Sequence, residues 1–224
     1  MNGAAATNWA GEDLQLLPDR AVWWPRGRTL FIADAHFGKG DALRAAAQPV
    51  PTGTTGSDLQ RLDALIGACS PARIVFLGDF LHARQARSRA VLDALRRWRA
   101  QHEAIDMELV RGNHDRHAGD LPGELAIRPH DEPQRVGPFV CRHHPGPSPD
   151  GFVLAGHLHP VCSLRGAAHD SLRLPCFAAD DDQAILPAFG GLTGGARIRG
   201  RPGLTIHAIA AGHVVRLPGG KIDR

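Results

Sequence analysis

Four short apolar runs along the chain each end at a glycine or directly at a polar side chain. The runs cover residues 29–33, 73–77, 107–111 and 151–155. Runs of this length that are rich in β-branched residues and stop at glycine are typical of buried strands. The pattern therefore predicts strands of a layered α/β fold, in which the polar residues after the strands gather at one edge of the sheets.

Apolar residues at helical spacing predict two helices, near residues 57–69 and 88–101. In the second of these, Val91, Leu95 and Trp98 fall on one face. Because an amphipathic helix turns its apolar face towards the core, these three side chains are expected to be buried.

Two hairpins are predicted, one near each end of the chain. Residues 204–210 alternate enough to form a strand, a turn follows, and residues 214–217 pair back on the strand. This hairpin is expected to close a second sheet. Trp23 and Trp24 are expected to be core residues of an N-terminal hairpin.

The composition agrees with one domain. The chain has 224 residues, of which 43% are hydrophobic, and no repeat or low-complexity tract divides it. A single domain over residues 1–224 is therefore expected. The first eight residues, which are rich in alanine, are expected to form a loose terminus.

The sequence favours a cytoplasmic location. No run is long enough to span a bilayer or to form a secretory signal. The four cysteines lack C-x-x-C spacing and mostly lie in apolar runs, which favours reduced core thiols over disulfides. They are Cys69, Cys141, Cys162 and Cys176.

Five signatures with metal-binding side chains follow apolar runs in one order. They are Asp34-x-His36, Gly78-Asp79, Gly112-Asn113-His114-Asp115, His143-His144 and Gly156-His157-Leu158-His159. Each signature alone is weak, since a histidine beside a glycine is more often a surface or core residue than a ligand. Their joint occurrence after successive strands favours one shared site, because the carboxyl ends of strands converge.

The residue types indicate a pair of divalent ions. Two ions about 3.5 to 4 Å apart need a shared anionic ligand. We expect Asp79 to be this bridging ligand. A mixed shell of histidine, aspartate and asparagine suits manganese, iron or zinc better than calcium. A water bound to such ions, with a pKa lowered towards neutrality, is the natural nucleophile at phosphorus.

The signatures resemble the calcineurin-like binuclear metallophosphoesterase superfamily, whose pattern is D-x-H, G-D, G-N-H-[DE], H and G-H-x-H. Every element of that pattern is present. The resemblance implies a four-layer α/β sandwich, with two central mixed β-sheets flanked by helices and a dimetal site at one end of the sheets.

The resemblance also distributes the roles. It implies that the first ion binds Asp34, His36, Asp79 and His159. It implies that the second ion binds Asp79, Asn113, His157 and one of the paired histidines. His114 is implied to face the phosphate and assist the leaving group, and Asp115 to orient His114 by accepting a hydrogen bond.

The paired histidines leave an alternative open. Consecutive side chains of a strand point to opposite faces, so either His143 or His144 can enter the site. The family commonly shows histidine, one residue and then proline at this place, which matches His143-His144-Pro145 and favours His143. His144 remains the alternative.

Two further stretches, at residues 34–39 and 186–195, resemble the PdeM group of ligase-associated DNA-damage-response endonucleases. That group consists of manganese-dependent DNA nucleases that accompany a bacterial DNA ligase and a large helicase. The resemblance implies a DNA substrate, single-stranded or frayed, and a ligase and a helicase as functional partners. It covers nearly the whole chain.

Candidate substrate contacts are basic or polar residues close to the signatures. The formal net charge is +3. Lys39 lies just after the first ligand pair, and Arg84 and Arg87 follow Asp79 closely, so these cations are candidates for the mouth of the site. His82 either touches the substrate or holds a ligand by an outer hydrogen bond.

Two other functions fit the same signatures. A phosphodiesterase or phosphatase for small nucleotides would use the same metal centre equally well. A non-catalytic scaffold is disfavoured because Asn113, His114 and the paired histidines are intact.

Overall fold

Two mixed β-sheets face each other in the computed structural model, which describes residues 2–165 and 171–218. The first sheet has seven strands in spatial order β1 (Ala5–Trp9), β2 (Glu12–Leu17), β3 (Ala21–Trp24), β4 (Thr29–Ile32), β5 (Arg73–Leu77), β6 (Asp106–Val110) and β7 (Ile127–His130). Within this sheet β1 to β4 are antiparallel neighbours, whereas β4 to β7 run parallel.

The second sheet is formed by the later strands. They are β8 (Gln134–Val136), β9 (Phe139–Cys141), β10 (Phe152–Ala155), β11 (Val161–Arg165), β12 (Ser171–Ala179), β13 (Gln183–Ile185), β14 (Thr205–Ala210) and β15 (His213–Arg216). Their spatial order is β15-β14-β12-β13-β10-β9-β8, with β11 paired to β12. Strands β9, β10 and β13 are parallel.

The helices lie between strands of the first sheet in the sequence. They are α1 (Lys39–Ala45), α2 (Thr54–Cys69), α3 (Arg89–Gln101) and α4 (Asn113–Ala118), with short 3-10 turns at Arg84–Arg87 and Gly123–Leu125. The side chain of Ser88 caps α3 by accepting a hydrogen bond from the backbone N–H of Val91. Both predicted helices are confirmed, although α2 begins three residues earlier than expected.

The alternation of side chains along the central strands divides the core in two. In β5, Ile74 and Phe76 pack against the helices, together with Leu62 of α2 and the predicted Leu95 of α3. Val75, which lies between them, and Leu77, which follows Phe76, pack in the cluster shared with the second sheet. Because successive side chains point to opposite faces, one strand serves both layers of the core. The predicted arrangement of mixed sheets with flanking helices is confirmed.

The expectation of a loose terminus over residues 1–8 is wrong for residues 5–8. Ala5–Trp9 forms the edge strand β1, and the ring of Trp9 stacks on Phe152 of the second sheet with centroids 5.6 Å apart. Ala10 and Gly11, both at positive φ, make the two-residue turn into β2. Such turns match the twist of paired strands, which explains the small residues Ala10 and Gly11 between β1 and β2.

The other hairpin predictions are confirmed. Trp23 and Trp24 are buried in β3. Strands β14 and β15 pair across a two-residue turn and end the second sheet. Among the residues that the structure describes, no helix combines the length and apolarity needed to cross a bilayer.

Candidate metal centre

The five signatures meet at the carboxyl ends of three parallel strands of the first sheet and two parallel strands of the second. Asp34 and His36 follow β4, Asp79 follows β5, and α4 begins at Asn113 directly after β6. His143 follows β9, and His157 and His159 follow β10. Because β4, β5 and β6 are in parallel register, their ends deliver these side chains to one place.

The glycines of the signatures are required by close approach. A side chain at Gly78 would collide with the ring of His143, and one at Gly112 would collide with the carboxylate of Asp79. A side chain at Gly156 would collide with the carboxylate of Asp34 in the same way. In these three signatures the glycine therefore makes room for a candidate ligand that follows a different strand.

One half of the cluster gathers the residues assigned to the first ion. Nε2 of His36 lies 3.3 Å from Nε2 of His159 and 3.8 Å from Oδ2 of Asp79. Nε2 of His159 lies 3.5 Å from Oδ1 of Asp34. The donor atoms of Asp34, His36 and His159 all lie within 4.8 Å of one another, so they form a set that can hold one ion.

The other half gathers the residues assigned to the second ion. Nε2 of His143 lies 2.9 Å from Oδ1 of Asn113 and 3.5 Å from Oδ2 of Asp79. Nδ1 of His157 lies 3.0 Å from the same His143 nitrogen. The Oδ2 atom of Asp79 is thus close to donors of both halves, as a bridging ligand requires.

Backbone carbonyls fix which ring nitrogens are free. Nδ1 of His143 lies 3.2 Å from the carbonyl oxygen of Leu77, and Nδ1 of His159 lies 3.2 Å from that of Gly194. A carbonyl only accepts, so each Nδ1 carries the proton and donates it. The Nε2 lone pairs of His143 and His159 are consequently left for a metal ion.

The charges of the cluster also fit a pair of cations. Asp34 is fully buried, and its Oδ1 atom has no hydrogen-bond partner among the described residues. Burial and the neighbouring charge of Asp34 raise the pKa of Asp79, while burial lowers the pKa of His36 to about 2. Two carboxylates buried close together are costly alone, and divalent cations would offset that cost.

His114 faces the bridge from the open side of the cluster. Its Nδ1 donates to the backbone carbonyl of His82, and its Nε2 lies 3.9 Å from Oδ2 of Asp79. Its side chain is 37% exposed. The backbone N–H of His114 also donates to Oδ1 of Asp79 over 3.0 Å. This arrangement leaves Nε2 accessible to a group that approaches from solvent.

The predicted hydrogen bond from His114 to Asp115 is wrong. Oδ1 of Asp115 accepts from the backbone N–H of Phe80 over 2.9 Å, and Oδ2 accepts from that of Gly112 over 2.9 Å. Adjacent residues of a helix do not face each other, so Asp115 cannot reach the ring of His114. Asp115 instead ties the loop after β5 to the start of α4, and burial raises its pKa to about 6.

His82 supports two other histidines of the cluster. Its Nδ1 lies 3.3 Å from Nδ1 of His36, and its ring stacks on His114 with centroids 5.0 Å apart. Burial lowers the pKa of His82 to about 4. Of the two roles considered for His82, these contacts support the outer hydrogen-bonding one.

The paired histidines take different positions. His143 is fully buried and lies in contact with Asp79 and Asn113. The His144 side chain is 42% exposed, and its Nδ1 lies 2.7 Å from Oε1 of Glu132. The contacts therefore favour His143 as the ligand and leave His144 at the rim.

The candidate substrate contacts also separate. Lys39 begins α1, and its pKa is lowered by burial although the charge of Asp79 opposes this shift. Arg84 is exposed. Nη1 of Arg87 donates to the carbonyls of Ala118, Gly119 and Asp120, at the end of α4. Arg87 is thus engaged within the protein, whereas Lys39 lies close to the candidate centre and Arg84 is open to solvent.

Two supporting elements were not predicted. Glu132 binds the backbone of both paired histidines, and the loop at residues 188–191 is held by Arg20 and Asp58. The glycine-rich stretch 186–195 was noticeable in the sequence, but its contact with His159 was not. No sequence signal identifies Glu132, which lies eleven residues before His143.

A sequence profile described as calcineurin-like phosphoesterase matches residues 27–216. The chain belongs to this family. In agreement with that assignment, the chain is similar to a solved structure of the nuclease MPE from Pseudomonas putida. The two share 40% identity and a TM-score of 0.84, over 96% of this chain and 100% of the other.

A second solved structure, the phosphoesterase Yfce from E. coli, is 12% identical with a TM-score of 0.41, over 87% of this chain and 99% of the other. The comparison with curated proteins gave no match.

Proposed function

We propose that this protein is a binuclear metal-dependent phosphodiesterase that cleaves DNA internally, on single-stranded or frayed substrates. The carrying observation is the position of Asp79 between two sets of donors, with Nε2 of His114 on the open side. The similarity to a nuclease at 40% identity supports nucleic acid as the substrate class.

The proposed ligands are seven residues. They are Asp34, His36, Asp79, Asn113, His143, His157 and His159. Two divalent ions held there would supply a water of lowered pKa and stabilise developing charge at phosphorus. Manganese is the proposed metal, with iron and zinc as alternatives, because the donor set is mixed nitrogen and oxygen.

The chain itself positions the leaving group. The His114 ring is oriented by the carbonyl of His82, so its Nε2 is directed outward and can contact the oxygen that leaves phosphorus. Asp115 holds the loop of Asp79 against the start of α4, which keeps His114 and the bridging carboxylate in fixed relation. Lys39 is proposed to contact a substrate phosphate as a point charge.

The setting of the activity is also a proposal. The resemblance to ligase-associated nucleases supports a role in DNA repair, with a DNA ligase and a helicase as functional partners. None of the cysteines Cys69, Cys141, Cys162 and Cys176 is in a disulfide bond, which supports a reducing, cytoplasmic location.

The test compares three substrates with one protein sample. Protein reconstituted with manganese, zinc or magnesium is incubated with single-stranded DNA, duplex DNA and a chromogenic phosphodiester. We expect manganese to support cleavage of single-stranded DNA and of the small ester. Rapid hydrolysis of the small ester with intact single-stranded DNA would instead establish the small-phosphoester function.

A further inference from the structure

Glu132 lies outside all five signatures, in the short loop between β7 and β8, yet it contacts the candidate centre. Its Oε2 accepts hydrogen bonds from the backbone N–H groups of His143, over 2.8 Å, and His144, over 3.1 Å. Its Oε1 lies 2.7 Å from Nδ1 of His144. The Glu132 side chain is 17% exposed, so these bonds are partly shielded from water.

The two hydrogen bonds from the backbone lie just beyond the end of strand β9, where the hydrogen bonds between strands stop. Strand β9 ends at Cys141, and the N–H of Arg142 still donates to the carbonyl of Leu154. The next two N–H groups, of His143 and His144, are taken by Glu132. A buried N–H without a partner would be costly, so this carboxylate determines the path of the backbone that carries His143.

The ring of His144 extends the same support to the other histidine of the second ion. Its centroid lies 4.5 Å from that of His157 and 4.8 Å from that of His143. The bond to Glu132 restrains this ring, which then forms a wall beside both candidate ligands. The Glu132 carboxylate thus holds both the backbone of His143 and the His144 ring that lies beside His157.

We propose that Glu132 is a positioning residue for the second ion, acting mainly through the backbone of His143 and also through the ring of His144. The inference rests on the proposed binuclear centre. No contact of Glu132 with the residues of the first ion is found among the described residues, so its loss should affect one ion and spare the other. Outer partners of metal ligands typically change metal affinity by about 10- to 100-fold when they are removed.

The experiment titrates ion-free protein with manganese by calorimetry and follows the binuclear signal by electron paramagnetic resonance. In Glu132→Ala, the affinity for the second ion should fall by about 10- to 100-fold, while the affinity for the first stays at the wild-type value. The spin-coupled signal of the ion pair should then appear only at higher manganese concentration.

Two variants separate the backbone contacts from the ring contact. Glu132→Gln keeps an oxygen for the two N–H groups but loses the charge, so a smaller loss of about fivefold is expected. His144→Ala leaves Glu132 free to bind the backbone and should weaken the second ion less than Glu132→Ala does. A loss in His144→Ala as large as in Glu132→Ala would overturn the backbone route.

Controls keep failure of the inference distinct from failure of the function. Glu124→Ala removes a surface carboxylate that pairs with Arg96 and should bind both ions normally. If wild-type protein binds two ions and Glu132→Ala binds them equally well, Glu132 has no positioning role. Equal weakening of both ions also overturns the inference, whereas a wild-type protein with fewer than two ions overturns the binuclear function. Should Glu132→Ala not fold, the affinity of Glu132→Gln decides on the same criteria.

Discussion

The two sheets supply chemically different halves of the candidate centre. Loops of the first sheet provide both carboxylates and the amide, Asp34, Asp79 and Asn113, together with His36. Loops of the second sheet provide only imidazoles, from His143, His157 and His159. In the proposed centre, the first sheet would therefore contribute the negative charge that attracts cations, and the second would complete the coordination without adding charge.

This difference is accompanied by a difference in bracing. The carboxylate half is held by bonds across its own loops, such as those of Asp115 to Phe80 and Gly112. The imidazole half is tied to the carboxylate half by a hydrogen bond between the two sheets. The backbone N–H of His157 donates to Oδ2 of Asp34 over 2.9 Å. We infer that the carboxylate half determines whether ions bind, and that the imidazole half adjusts how tightly.

The largest expected effect tests this division directly. Asp79→Ala should abolish hydrolysis and reduce bound metal to at most one ion per chain, because both ions lose their shared ligand. His157→Ala should bind two ions again at raised manganese concentration. Metal content and DNA cleavage are measured at low and high manganese, with exposed Asp150→Asn as a control. Two ions retained in Asp79→Ala, or an equal and irreversible loss in His157→Ala, would contradict the comparison.

The next effect belongs to His114, which lies on the carboxylate side but is not a proposed ligand. His114→Ala should keep both ions and lose rate by about 10²- to 10⁴-fold, the usual scale for general acid catalysis. The loss should be smaller for an ester with a good leaving group. The ratio of kcat values on DNA and on a nitrophenyl ester measures this difference. Loss of metal from the variant would make His114 a ligand instead.

A smaller effect concerns the substrate. Lys39 and Arg84 both follow strands of the first sheet, so the proposed DNA contacts lie on the carboxylate side. Neutralising each should weaken DNA cleavage and reduce the slope of log rate against log salt by about one unit, because one phosphate contact is lost. Hydrolysis of a small phosphodiester should hardly change.

Arg87→Ala is the matched contrast. Its guanidinium binds carbonyls at the end of α4, so its removal should lower activity on both substrates with little effect on the salt slope. A reduced slope of log rate against log salt in Arg87→Ala would show instead that Arg87 contacts the DNA.

The smallest effect is a pH dependence of the ion-free protein. Burial holds the folded-state pKa of His36 at about 2, against an ordinary value of 6.5. Below about pH 6.5, His36 therefore binds a proton in the unfolded chain but not in the folded one. The free energy of unfolding consequently falls as the pH is lowered. Asp79 and Asp115, whose pKa values are raised by burial, act in the opposite direction, and both residues are present in each of the proteins compared.

Chemical denaturation at pH 7.5 and pH 5.5 measures this contribution. Replacing the ring in His36→Asn should reduce the loss of unfolding free energy between these pH values by about 1 kcal/mol. An unchanged pH dependence would show that the neutral state of His36 is not a folding constraint.

The convergence of the candidate ligands could be predicted from the sequence because each of them lies within a few residues of a strand end. Strand ends are visible as apolar runs closed by glycine, and parallel strands bring those ends together. The clash that a side chain at Gly78 or Gly112 would cause shows why those glycines mark the site.

The outer part was less predictable, since its contacts depend on side-chain direction and on distant loops. Asp115 was assigned to the ring of its neighbour, but helix geometry directs it to Phe80 and Gly112. Glu132 and Gly194 act on histidines eleven and thirty-five residues away, respectively, and no periodicity connects them. The edge strand β1 was missed because its five residues, AATNW, include one large apolar side chain, that of Trp9, so the sequence shows no regular alternation of apolar and polar residues.

Five candidate ligand residues have left-handed backbone conformations, with φ between 47° and 69°: Asp34, His36, Asp79, His157 and His159. Such a conformation costs a non-glycine residue on the order of 1 kcal/mol. Glycine would relieve that cost but would remove the donor atom. Laboratory selection for heat resistance of the ion-free chain should therefore replace these residues with glycine or asparagine, and the selected variants should lose catalytic activity. Selection in the presence of manganese should preserve them.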